Sequence, residues 1–129
     1  MPSFSKRSMS KLMTAHPDLQ RLFLAVVKEH DCTILCGHRN KEEQQGAYQD
    51  GLSMLQWDDS LHNKVPSRAI DASPYPIDWR NTERFIVYAR HVLAKAKELG
   101  ISIRWGGDWD GDGDMTDQRF MDLVHFELR

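Results

Sequence analysis

Two short apolar segments of this chain carry charged or titratable side chains where a hydrocarbon would be expected, and that restricts the folds open to it. Arg68-Ala-Ile-Asp71-Ala-Ser73 reads as a strand with a carboxylate inside it. Leu123-Val-His125-Phe-Glu127-Leu128 reads as a terminal strand interrupted by an imidazole. An unpaired carboxylate is costly to bury, so a fold that buries these strands must supply partners or a cation. On a strand, His125 and Glu127 share one face, and Val124, Phe126 and Leu128 share the other. A second imidazole, His62, stands in the polar segment before Asp71, and Asp122 lies three positions before His125. Taken singly, each polar group reads more simply as a hydrogen-bonded, half-buried residue. Taken together, His62, Asp71 and His125 make a zinc set of two imidazoles and one carboxylate. Such a set leaves one coordination position open for water, and Asp122 can serve as base beside it.

At 129 residues the chain is most simply one domain, spanning 1–129. Its 40% hydrophobic and 28% charged content is ordinary for a globular chain. A formal net charge of −2 gives no electrostatic case for nucleic acid or an anionic membrane. No apolar stretch approaches the roughly 20 residues needed to span a bilayer. The N-terminus, Met1-Pro-Ser-Phe-Ser-Lys-Arg-Ser-Met-Ser-Lys11, is polar and lacks a secretory apolar core. The expectation is a monomer made in the cytoplasm without a signal peptide and without membrane insertion. Cys32 and Cys36 fall on one short strand; residues four apart on a strand lie about 13 Å apart, beyond disulfide reach. They read as reduced, mostly buried thiols.

The periodicities predict an α+β fold. Apolar residues at 19, 22, 23, 26 and 27 make a helical stripe opened by Pro17 and Asp18. Cys32–Cys36 follows as a strand, and Asn40 caps a helix over 41–50. Residues 52–66 show no clear period. Thr82–Leu99 is the longest helix, opened by Asn81 and ended by Gly100, with a broad apolar face. Ile101–Trp105 alternates as a strand. Helices and strands without regular βαβ alternation imply a small antiparallel sheet with helices packed on it, and a zinc site in a cleft on that sheet.

Asp108-Trp-Asp110-Gly-Asp112-Gly-Asp114 begins like an EF-hand loop, with oxygen ligands at its first, third and fifth positions and glycine at the sixth. The closing glutamate is replaced by Arg119. A calcium ion on Asp108–Asp114 and a solvated loop on the rim of the cleft are both open readings. Trp105 and Trp109 read either as packing at a strand end or as lining of a substrate groove.

In order along the chain stand Ser60-x-His62, Ala69-x-Asp71, Pro74-Tyr-Pro76, Trp105-Gly-Gly-Asp-Trp109 and Asp122-x-x-His125-x-Glu127. This series resembles the VanY-like zinc peptidases, which include D-alanyl-D-alanine carboxypeptidases and the L-alanyl-D-glutamate endolysins of tailed phages. The resemblance runs from about Gly37 to the C-terminus. It implies His62, Asp71 and His125 as zinc ligands and Asp122 as the catalytic acid/base. It also implies that Arg39, in a Gly-x-Arg turn, contacts substrate or the developing oxyanion, with Gln44 supporting that turn. Glu127 stands either behind an imidazole or toward solvent. The segment between His62 and Asp71 is two residues longer than the family's usual pattern, with Pro66-Ser67 where a glycine is expected. The implied function is a zinc-dependent peptidase cutting the peptidoglycan stem peptide between L-alanine and D-glutamate. An enzyme of that kind reaches the wall once a partner has permeabilised the membrane. The alternatives are a D-alanyl-D-alanine carboxypeptidase with the same metal centre and a non-catalytic metal-binding module.

Overall fold

The computed structural model describes residues 2–109 and 122–129. The elements run α1 (Lys6–Leu12), α2 (Pro17–Glu29), β1 (Cys32–Cys36), α3 (Lys41–Gln49), a 3-10 turn (Leu61–Asn63), β2 (Ala69–Pro74), α4 (Thr82–Leu99), β3 (Ile103–Gly106) and β4 (Asp122–Leu128). The four strands form one antiparallel sheet in the order β1-β2-β4-β3. The expected α+β class is the observed one.

Helix boundaries follow local chemistry. The His16 ring accepts the backbone N–H of Asp18 at 3.0 Å, and Pro17 opens α2. Asn40 and Glu43 form a reciprocal capping box on α3. The Asn81 side chain accepts the Arg84 N–H at 3.2 Å to start α4, which ends at Gly100.

Strand register then separates core from site. Ile70, Phe126 and Trp105 lie opposite one another across β2, β4 and β3. All three are buried in the core with residues of α2 and α4. The Phe126 ring meets Phe23 of α2 edge-on at 5.7 Å and Tyr88 of α4 at 6.2 Å. One residue along, Asp71 pairs with His125, and one residue the other way Ala69 and Arg104 both pair with Glu127. Alternation sends these side chains to the face away from the helices.

Two features departed from the sequence pattern. The polar N-terminus, read only as lacking a secretory core, forms α1. Ser5 caps it by accepting the Ser8 N–H at 3.1 Å. The buried Ser8 hydroxyl in turn accepts the Ile34 N–H at 3.0 Å, so α1 covers the free edge of β1. The lengthened segment after His62 bulges outward, leaving Val65 85% exposed. Ser67 returns it to the protein: its N–H donates to Thr14 O at 3.0 Å, and its carbonyl accepts the His16 N–H at 2.8 Å. Both cysteines are free thiols, Cys32 buried and Cys36 half-buried. Among the described residues no helix is long and apolar enough to cross a membrane. The calcium expectation for Asp108–Asp114 falls mostly on 110–121, outside the described residues.

Phe126 joins the sheet to both large helices with none of its surface exposed. Phe126→Ala is expected to lower unfolding free energy by about 3–5 kcal/mol, read from urea denaturation of the purified proteins.

Candidate active site

The site is built from four parts of the chain. Asp71 and His125 face each other across β2 and β4. His62 comes from the 3-10 turn, where the Ser60 hydroxyl accepts the His62 N–H at 3.1 Å and Asn63 Oδ1 accepts the Ser60 N–H at 3.1 Å. The Arg39 N–H donates to the His62 carbonyl at 2.8 Å, locking the turn to the segment after β1. Asp122 opens β4 opposite Gly106. A Cβ on Gly106 would collide with the Asp122 carbonyl oxygen and lie 2.9 Å from its Cβ, so only glycine lets β3 pass this close.

The expected metal-binding side chains converge. His62 Nε2 lies 3.1 Å from Asp71 Oδ1 and 3.3 Å from His125 Nδ1, and His125 Nδ1 lies 3.1 Å from the same Asp71 oxygen. A tetrahedral centre with bonds of about 2.0 Å places its donors about 3.3 Å apart, so this triangle fits one small divalent cation. Ring orientation agrees. His62 Nδ1–H donates to the Gly37 carbonyl at 2.7 Å, so Nε2 is the nitrogen turned inward. His125 Nε2–H donates to Glu127 Oε1 at 2.8 Å, so Nδ1 is the nitrogen turned inward. Glu127 is clamped on its other oxygen by Arg104, at 2.7 Å from Nη2 and 3.2 Å from Nε. Glu127 thus stands behind the imidazole rather than in solvent; the pairing of β3 with β4 that adds Arg104 could not be read from either strand alone.

Two other groups border the triangle. Donor atoms of Asp71, Asp122 and His125 all lie within 4.8 Å of one another, placing the Asp122 carboxylate at its edge. Cys36, Asp71 and His62 satisfy the same limit. The Cys36 thiol approaches the outward Nδ1 of His62 at 3.8 Å, behind the ring rather than inside the triangle. Cys36 was not anticipated as a site residue. It sits opposite Asp71 across an irregularity between Ile34 and Cys36 that strand alternation does not reveal.

Arg39 lies beside the cluster, with Nη2 3.6 Å from Asp71 Oδ2. Gln44 is fully buried and holds it, accepting from Arg39 Nη1 at 3.0 Å and from Asn63 Nδ2 at 3.2 Å. Gln44 Nε2 donates to Ser53 Oγ at 3.0 Å and to the Leu55 carbonyl at 2.6 Å. The irregular segment after α3 is thereby fastened to the site. It forms one wall of a cavity of about 530 Å³ through Leu52, Met54 and Leu55, with Trp109, Arg39 and Arg104 also on the lining. The Trp109 ring lies 5.3 Å from the His125 ring, whereas Trp105 is buried core.

Burial opposes charge throughout the cluster, and the partners decide the outcome. It pushes the Asp71 carboxyl up, but the charge of His62 and hydrogen bonds from both imidazoles hold it well below the usual carboxylate range. It favours a neutral His62, yet the Asp71 carboxylate raises that ring to about 10. His125 is also raised, burial being outweighed by its bonds to Asp71 and Glu127. Asp122 moves up, first through burial and then through the nearby Asp71 charge.

The arrangement agrees with relationships across the whole chain. Residues 2–129 match the family described as phage L-alanyl-D-glutamate peptidase. The chain therefore belongs to that family, and it is a peptidase. It is 33% identical over 120 residues to the L-alanyl-D-glutamate peptidase of Escherichia phage T5, covering 89% of this chain and 87% of that one. The crystal structure of the Serratia marcescens L-Ala D-Glu endopeptidase ChiX aligns with a TM-score of 0.76 at 25% identity, over 99% of this chain and 91% of that chain.

With no cation bound, the raised imidazoles hold protons that an incoming cation must displace. Zinc titrated into metal-free protein near neutral pH is expected to release protons. Its apparent Kd should rise up to about tenfold per pH unit lost for each proton displaced. Calorimetry in buffers of different ionisation heat checks this; a Kd independent of pH would contradict protons on the inward nitrogens.

Proposed function

We propose that this chain cleaves the bond between L-alanine and D-glutamate in the peptidoglycan stem peptide. In this reading a zinc ion is held by His62 Nε2, Asp71 Oδ1 and His125 Nδ1, and Asp122 is the acid/base. The observation that carries it is the donor triangle, with the second nitrogen of each imidazole bonded outward and a carboxylate at its edge. The family match and the names of both relatives favour the endopeptidase over the D-alanyl-D-alanine carboxypeptidase and over a non-catalytic module.

A zinc ion bound there supplies the Lewis acidity that makes water nucleophilic near pH 7. The protein's own groups do the rest. Asp122, at the edge of the triangle with its affinity for a proton raised by burial, takes the proton of the attacking water and passes it to the leaving amine of D-glutamate. Arg39, buttressed by Gln44, directs a cation toward the charge that develops on the scissile carbonyl oxygen. One such donor is typically worth about 10²–10³ in rate. Glu127 and Arg104 keep the His125 ring turned so that Nδ1 faces inward.

The test separates chemistry from metal binding. Asp122→Asn is expected to lower turnover of purified peptidoglycan by about 10² or more while leaving zinc content unchanged. Mass spectrometry of wild-type digests is expected to show new amino termini at D-glutamate. Release of free D-alanine alone would instead establish the carboxypeptidase, and full activity in Asp122→Asn would remove that residue from the mechanism.

A further inference from the structure

Asp122 borders two cavities. Beyond the main cleft lies a second concavity of about 250 Å³, lined among the described residues by Trp79, Phe85, Asp122, Leu123 and Val124. The two differ in chemistry. The main cleft is lined by charges of both signs, Arg39 and Arg104 with Asp59, Asp71, Asp122 and Glu127, whereas the second has no charged residue on its described lining except the shared Asp122. Trp79 is stacked on Phe85, with centroids 5.5 Å apart and planes inclined by 16°. Phe85 is buried, yet Trp79 remains 63% exposed. One face of the indole is therefore backed by hydrocarbon and the other is open to solvent. A single exposed aromatic is ordinary on a protein surface. A flat aromatic held by a buried ring beside the carboxylate of a peptidase is a platform continuous with its active site.

We propose that this concavity is a subsite for a sugar ring of the glycan strand that carries the stem peptide, with Trp79 as its stacking surface. The proposal rests on the endopeptidase reading above. The scissile carbonyl would then belong to the first stem residue, whose amino group is joined through a lactyl unit to the glycan. One residue spans at most about 3.6 Å, so the sugar begins within about two residue lengths of the bond at which Asp122 acts. A pyranose offers a face of C–H groups that lies flat on an indole, with hydroxyls at its edge.

The experiment compares two substrates with zinc-loaded wild-type, Trp79→Ala and Trp79→Tyr enzymes: a muramyl stem peptide, and the same peptide with its amino end acetylated in place of the sugar. For Trp79→Ala, kcat/KM on the muramyl peptide is expected to fall about tenfold, mainly through KM. The sugar-free peptide should be cut at the wild-type rate, and Trp79→Tyr should recover most of the loss. Equal losses on both substrates would assign Trp79 to packing around Phe85 and overturn the subsite, as would no loss on either. A wild-type enzyme that cleaves neither peptide would instead sink the endopeptidase reading itself.

Discussion

A carboxylate set between two imidazoles on a buried face of the sheet is the constraint around which this protein is arranged. Asp71 alone would be expensive to bury in β2. The antiparallel register of β2 and β4 puts His125 directly opposite it, and the 3-10 turn brings His62 against the same oxygen. Each imidazole has its second nitrogen occupied, one by the Gly37 carbonyl and the other by Glu127. The inward atoms therefore face one another, close enough for one small cation to span all three.

Further shells hold that core in place, each reaching into a different part of the fold. Arg104 of β3 fixes Glu127, and Gln44 of α3 fixes Arg39, Asn63 and the wall segment at 53–55. Gly37, whose carbonyl accepts from His62, packs tightly on Lys11 and Thr14, where a Cβ would collide with the Lys11 carbonyl and the Thr14 hydroxyl. The small N-terminal helix is thus linked to the site through backbone contact. The opposite face of the same strands, through Ile70, Phe126 and Trp105, supplies the apolar core that makes the register rigid.

Much of this was legible from residue pattern. The stripes of α2 and α4 fall at the buried positions, because amphipathic spacing directly reports which side of a helix loses water. Asp71 and His125 stood out because polar groups in apolar strands need a reason, and the family resemblance added His62 and Asp122, which the fold brings beside them. What escaped depended on non-local geometry. α1 has no apolar stripe and is held by Ser8 bonding to the edge of β1. The clamp of Arg104 on Glu127 needs cross-strand register, and the place of Cys36 beside His62 needs the irregularity in β1. Gln44 is tied to the Arg39 turn by the family resemblance, but its complete burial needs the chain folded over it.

The most direct test is X-ray absorption spectroscopy at the zinc edge of the metal-loaded protein. Three protein donors, two imidazole nitrogens and one carboxylate oxygen at about 2.0–2.1 Å, together with one exchangeable light-atom ligand, are the expected shell. A sulfur scatterer at about 2.3 Å, bringing the Cys36 thiol into the sphere, or a fourth protein ligand closing it, would contradict the account.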